Sequence, residues 1–183
     1  MLRLTSSLFS VIDIRDNFLK PEAYQQMKDF FFAEKFPWYF MNAVVNRQEL
    51  DDPTLHQFTH MLYDTQSQHV DEFFPMVYPI LGGLNVIVPL RCKLNCRGGT
   101  KEHIETAFHV DLTGEPWEKV TGTGICNTSI FYFNTNNGYT EFENGEIVET
   151  VENRLVTFPS TMYHRGVSTT DDNRRVVLNL NWI

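Results

Sequence analysis

Cysteine is scarce in this chain, with three in 183 residues: Cys92, Cys96 and Cys126. An odd, sparse set excludes a disulfide scaffold and fits a reducing compartment. Cys92 and Cys96 share a strand face with Leu94, which reads as buried thiols rather than ligands. Long apolar runs are also missing. No stretch approaches the eighteen or so residues of a membrane span. Leu8-Phe9-Ser10-Val11-Ile12 is cut by Asp13, too short for a secretory h-region. A soluble, cytoplasmic protein is expected. Basic residues are few, 15 against 23 acidic, for a net charge of −8 and a pI near 5.2. That excludes a broad electrostatic footprint on nucleic acid. Apolar material is present in quantity: 42% hydrophobic and 14% aromatic residues, enough for a folded core. The length fits one domain, residues 1–183, without linker or repeat.

Along the chain, the first part, about 1–83, reads as mainly helical. Leu8 to Ile14 is a short strand, followed by a turn at Arg15-Asp16-Asn17. Pro21 opens a helix at the position where its missing N–H costs nothing. Tyr24, Met27, Phe30 and Phe31 give that helix one apolar face. Phe36 to Phe40 is an aromatic strand or pocket wall. Asp52-Pro53 predicts a second helix carrying Phe58, Met61 and Leu62, and His69 to Leu81 a third, stopped by Gly82-Gly83. His56 and His60 lie four apart on the second helix, with no third ligand nearby.

From about 84 to 183 the pattern changes to strands. Asn85 to Arg97 alternates, with Arg91, Lys93 and Asn95 on one face and Cys92, Leu94 and Cys96 on the other. Further strands are expected at Glu105–Asp111, Thr128–Asn134, Arg154–Phe158, His164–Val167 and Arg174–Trp182. Asn136-Asn137-Gly138 and Glu143-Asn144-Gly145 mark turns of a hairpin. Leu112 to Thr123 is expected to form a loop over the site. Helices followed by about eight short strands predict an α+β, mainly β fold. Its core is a double-stranded β-helix (jelly-roll, cupin-like), with N-terminal helices packed on one sheet.

His-x-Asp occurs twice, as His69-Val70-Asp71 and His109-Val110-Asp111. In the stretch read as helix, residues two apart diverge by about 200°, which excludes a shared metal for the first copy. On a strand they point the same way, roughly 6.6 Å apart. His109 and Asp111 then supply two legs of a 2-His-1-carboxylate iron site, and His164 is the candidate third leg.

The last strand adds an anion anchor. Arg174, Val176, Leu178, Leu180 and Trp182 share one face; Arg175, Val177, Asn179 and Asn181 share the other. The apolar set should pack on the helices, so the polar set should face the barrel interior. An interior Arg requires an anionic partner, and a carboxylate meets guanidinium bidentately. Arg175 is therefore the expected carboxylate anchor with Asn179 as helper, and Arg174 is the alternative. A plain salt bridge to Asp171 or Asp172 suits whichever Arg faces outward.

At these residues the chain resembles the iron(II)- and 2-oxoglutarate-dependent oxygenases, especially their prolyl-4-hydroxylase-like branch. The resemblance runs from Arg91 to Trp182. It includes His109 and Asp111, then Ile130-Phe131-Tyr132-Phe133-Asn134, Gly138-Tyr139-Thr140-Glu141-Phe142, Phe158-Pro159, His164 and a late Arg. Asp16-Asn17-Phe18-Leu19 with Pro21-Glu22 looks like that branch's opening strand and helix. Tyr139 stands where the branch has a second Gly, and Asn95 is expected to replace a tyrosine of the strand before the ligands.

The resemblance implies Fe(II) on His109, Asp111 and His164, and 2-oxoglutarate as co-substrate with its distal carboxylate on Arg175. O2 would oxidise it to succinate and carbon dioxide while a C–H bond is hydroxylated. An amino-acid side chain, in a protein, a peptide or a free amino acid, is the implied substrate. The acidic surface favours a basic or neutral partner and disfavours nucleic acid. Two rivals are a non-catalytic cupin-like binding module and a metal enzyme of the same fold without co-substrate. Stoichiometric iron would argue against the first, and the late Arg argues against the second.

Overall fold

A computed structural model describes residues 12–44, 52, 54–112 and 126–183. In chain order these form β1 (Asp13–Arg15), α1 (Pro21–Phe32), β2 (Tyr39–Met41), β3 (Gln57–Asp64) and β4 (His69–Val70). A 3-10 turn (Phe74–Val77) leads into α2 (Tyr78–Leu84). There follow β5 (Pro89–Gly98), β6 (Asn127–Tyr132), β7 (Tyr139–Phe142), β8 (Ile147–Glu149), β9 (Arg154–Pro159), β10 (His164–Val167) and β11 (Arg174–Trp182). A large sheet has the order β1-β9-β6-β11-β5-β3-β2, with β4 attached to β3; a small sheet has the order β10-β7-β8. Their strand pairs are antiparallel. This is the mainly β, two-sheet layout expected of a double-stranded β-helix.

Strand parity divides the large sheet into two chemistries. Its outer face carries Cys92, Leu94, Phe131, Phe133, Val176, Leu178 and Leu180, which pack with Tyr24, Met27 and Phe31 of α1 in one core. Met27 and Phe31 are 1% and 0% exposed, so each contributes about 1.5–3 kcal/mol of burial. Between the sheets lies a second core of Ile130, Tyr132, Phe142, Val156, Phe158 and Val177. On β11 the inward set is Arg175, Val177, Asn179 and Asn181, so one strand supplies both a core face and a polar cavity wall. The three described cysteines are free and buried.

The N-terminal half differs from its helical expectation. Pro21 does open α1. The segment expected as a second helix is strand β3, and His69-Val70 is strand β4, so helix is confined there to residues 74–84. The apolar residues at helical spacing do not share a face: Leu62 is in the core, Met61 lines a groove with Lys93, and Phe58 is exposed, on a strand whose register shifts between Met61 and Tyr63. α2 runs through Gly82-Gly83 and ends at Asn85, in the left-handed region at φ 55°. The ligand segment 105–111, expected as a strand, is joined by single bridges, Glu105 to Val167 and His109 to His164, with a bend at Asp111. Residues 8–11 and 113–125, and with them most of the stretch expected as a loop over the site, including Trp117, lie outside the described residues.

Candidate metal centre

His109 and His164 are brought together by the backbone. Each amide N–H donates to the other's carbonyl, at 2.9 and 3.0 Å, the closely bonded kind of antiparallel pair. Their rings lie 4.8 Å apart at centroids. A charged clamp holds the segment in place: Arg165 on β10 bonds Glu105 at 2.5 Å and Glu141 on β7 at 2.8 Å, and stacks over Phe108. His109 Nδ1 faces the Ala107 carbonyl at 3.1 Å, and His164 Nδ1 the Met162 carbonyl at 3.2 Å. A carbonyl only accepts, so each Nδ1 carries the proton and each Nε2 keeps its lone pair for a metal.

Asp111 completes the face. Its Oδ1 lies 3.8 Å from His109 Nε2 and its Oδ2 3.9 Å from His164 Nε2, and the three ligand atoms lie within 4.8 Å of one another. These spacings are too long for hydrogen bonds and suit donors that share a cation. Among the described residues no other three His, Cys, Asp or Glu side chains converge in this way. Burial alone would push the Asp111 carboxyl up; the positive charge around it, from His164 and His109 when protonated and from Arg91 and Lys93 throughout, outweighs burial and holds it down at about 2. Burial pushes the His109 imidazole below its usual range. The site thus presents an ionised carboxylate and a neutral imidazole, the forms that bind metal.

Two asparagines of β11 orient Asp111. Asn179 Nδ2 donates to Oδ1 at 3.3 Å and Asn181 Nδ2 to Oδ2 at 3.4 Å, while Asn181 also bonds Thr128 at 2.9 Å. Asn179 thus turns to Asp111 rather than joining Arg175. Asn181 was not among the expected site residues, although its parity with Arg175 and Asn179 was a usable signal. The Oδ1 atoms of Asn95, Asn179 and Asn181 are buried without a partner. Orphaned acceptors beside a carboxylate require donors, which water on a cation would supply. The donor set therefore fits Fe(II).

Arg175 lies in the same cavity, of about 430 Å³. It is 5% exposed; its Nε donates to Thr150 at 2.9 Å and its Nη2 to Thr140 at 3.1 Å. Tyr132 lies under the guanidinium at 5.5 Å and donates its hydroxyl to Thr140. Neither Asp171 nor Asp172 pairs with Arg175: they bond Asn137 and Thr169, and Asn134. Arg174 faces the other way, 4.2 Å above the Phe32 ring of α1. Gly138 makes room for the Arg175 stem, since a Cβ there would stand 2.8 Å from its Cδ.

No protein-family model matches the chain, and no curated protein is similar to it in sequence. Solved structures are similar in fold. An oxidoreductase of the 2OG-Fe(II) oxygenase family from Burkholderia pseudomallei aligns with 93% of this chain and 84% of its own, at TM-score 0.66 and 8% identity. A prolyl hydroxylase from Trichoplax adhaerens, solved with a hypoxia inducible factor peptide fragment, aligns with 96% and 84%, at 0.62 and 12%. A Pseudomonas putida prolyl-4-hydroxylase aligns with 94% and 91%, at 0.56 and 16%. The fold is that of the 2OG-Fe(II) oxygenases. Within this oxygenase fold the His109, Asp111 and His164 triad is complete.

The other histidine candidates are structural. His60 is buried, with Nδ1 2.7 Å from the Pro37 carbonyl and its ring among Phe36, Tyr39 and Phe73. His69 bonds the Met61 carbonyl on the exposed strand β4, and Asp71 accepts from the Phe73 amide. His69-Val70-Asp71 is therefore no ligand pair, for reasons of pairing rather than of helix geometry. No described helix is long and apolar enough to cross a membrane.

Proposed function

We propose that this protein is an Fe(II)- and 2-oxoglutarate-dependent dioxygenase that hydroxylates a C–H bond of an amino-acid side chain, free or in a peptide. The observation that carries the reading is one cavity holding both the triad and a buried guanidinium that pairs with no carboxylate among the described residues. His109, Asp111 and His164 would hold the metal, with Asn179 and Asn181 fixing the Asp111 carboxylate between the two imidazoles. Arg175 would take the distal carboxylate of 2-oxoglutarate. Thr140 and Thr150 occupy two of its N–H groups and aim the rest of the fork into the cavity. Asn95, on the same cavity wall with an unpaired Oδ1, would receive a donor from the bound ligands. Bound iron supplies the oxidation, with O2 and 2-oxoglutarate consumed and succinate, carbon dioxide and an alcohol released. The chain's own part is to hold geometry and exclude water. The peptide in the Trichoplax adhaerens complex supports an amino-acid side chain as target.

The experiment is an anaerobic titration of metal-free protein with iron(II), then 2-oxoglutarate. A visible charge-transfer band that requires both, and is lost in His109→Ala, is expected. Iron binding without a response to 2-oxoglutarate would overturn the reading in favour of a cupin-like binding module.

A further inference from the structure

Part of the cavity wall is neither metal ligand nor co-substrate anchor, and that part is cationic. The chain carries 23 acidic and 15 basic residues. Yet the wall beside the triad holds Arg91, Lys93, Arg97 and Arg175, against Asp111 as its one acidic side chain among the described residues. Arg97 donates to the carbonyls of Ile104 and Gly166 and ties the ligand segment to β10. Arg175 is assigned to the co-substrate. A ferrous ion, the Asp111 carboxylate, a 2-oxoglutarate dianion and Arg175 together carry no net charge, so the loaded site is neutral before Lys93 and Arg91 are counted. Among the described residues neither of these two forms an ion pair within 4.0 Å. Arg91 reaches only the Asp111 backbone carbonyl, at 3.4 Å.

Sheet register fixes where this surplus charge sits. Lys93 lies directly across from Asn179 of β11, and Arg91 from Asn181. Directly opposed residues stand about 4.5–5.5 Å apart at Cβ on one face. The two cations are therefore the immediate neighbours of the asparagines that hold Asp111. Both also line an adjoining groove of about 890 Å³, whose wall includes Tyr39, Phe40 and Met41. Those three are 60%, 56% and 47% exposed, an apolar edge on strand β2. The pair lines both the reaction cavity and this groove.

We infer that Lys93 and Arg91 recognise an anionic group on the primary substrate. The molecule hydroxylated here carries a carboxylate or phosphate close to the reacting C–H bond, and an apolar part that lies along Tyr39, Phe40 and Met41. This rests on the oxygenase reading and sets its substrate class against the expectation from the acidic surface, because the cavity reverses the sign of the chain. Burial and the nearby Arg91 push the Lys93 ammonium down to about 8 against the opposing pull of Asp111. A bound anion would offset the repulsion from Arg91.

The test uses protein loaded with Mn(II) and 2-oxoglutarate, titrated by calorimetry with phenylacetate, its neutral counterpart phenylacetamide, and phenyl phosphate. At least tenfold tighter binding of one of the two anions than of the amide is expected, and which anion binds tells carboxylate from phosphate. Lys93→Met should remove that preference. The iron–2-oxoglutarate band and 2-oxoglutarate affinity should stay within twofold of wild type; Lys93→Gln serves if the Met variant does not fold. Binding of both anions no tighter than the amide by wild-type protein overturns the inference, and so does an unchanged preference in the Lys93 variants. Loss of 2-oxoglutarate affinity in those variants also overturns it, assigning Lys93 to the co-substrate. Absence of the band in wild-type protein is a different failure: the oxygenase reading falls, and this inference with it.

Discussion

Each oxygen of the Asp111 carboxylate meets an asparagine, and Asn181 is the more demanding of the two because it also holds Thr128. Orienting groups behind metal ligands typically govern affinity by 10–100-fold. Asn181→Ala is therefore expected to weaken Mn(II) binding by about that factor, measured by calorimetry; unchanged affinity would show that Asp111 needs no such support. Arg175 gives a second case. Arg175→Ala should weaken 2-oxoglutarate binding at least tenfold while metal affinity holds, and Arg174→Ala, stacked outside on Phe32, should do neither. Gly138→Ala should weaken 2-oxoglutarate binding as Arg175→Ala does and also lower stability, because the new methyl group meets the Arg175 stem at 2.8 Å and the Val167 backbone carbonyl at 2.9 Å. If the Arg174 variant rather than the Arg175 variant loses 2-oxoglutarate, the proposed anchor is wrong. These residues were readable in the sequence to different depths. Arg175 follows from the period of two on strand β11, a local property; His109 and Asp111 were picked by the same period although their segment is held by single bridges rather than as a strand. The pairing of Asn179 and Asn181 with Asp111 depends on how the segment 105–111 crosses β11, which no local pattern contains.

Elements explain where the reading of the chain succeeded and where it failed. β5 and β11 alternate cleanly because each separates a helix-covered face from a polar cavity, so parity alone assigned their faces. β3 broke the rule: Phe58, Met61 and Leu62 fall at helical spacing in the sequence although they lie in different environments on an irregular strand. α1 was legible from Pro21 and its aromatic spacing, and its attachment to the sheet has a titratable signature. Tyr24 donates to the Phe133 carbonyl at 2.8 Å and to Glu152 at 2.9 Å. Burial, helped by Glu152 and opposed by Lys28, raises its hydroxyl to about 12. A group whose pKa is raised by folding stabilises fully below its unfolded value, near 10, and that contribution is lost as pH rises through the folded value. Chemical denaturation should therefore reveal a stability loss between about pH 10 and 12, smaller in Tyr24→Phe. An identical loss in the variant would mean that Tyr24 does not contribute to it.

On the scale of the whole molecule, the site is the place where two sheets are joined. His164 belongs to the small sheet, while Asn179 and Asn181 holding Asp111 belong to the large one. Arg175 reaches from β11 to Thr140 of β7 and to Thr150 beyond β8. A metal and a dianion seated between these groups bind the closed arrangement and not the unfolded chain. They must then stabilise the fold by linkage, about 2.7 kcal/mol at a hundred times the dissociation constant. For a protein of this size each kcal/mol corresponds to about 2–4 °C, so Mn(II) with 2-oxoglutarate should raise Tm by about 5–11 °C. His109→Ala tests the source of that increment. It removes a ligand that is only partly buried, so the variant without ligands should melt within a few degrees of wild type and gain nothing from Mn(II) and 2-oxoglutarate. A variant that still gains the full shift would place the binding site elsewhere. A wild-type protein that gains none would mean that the sheets close without help from anything held between them.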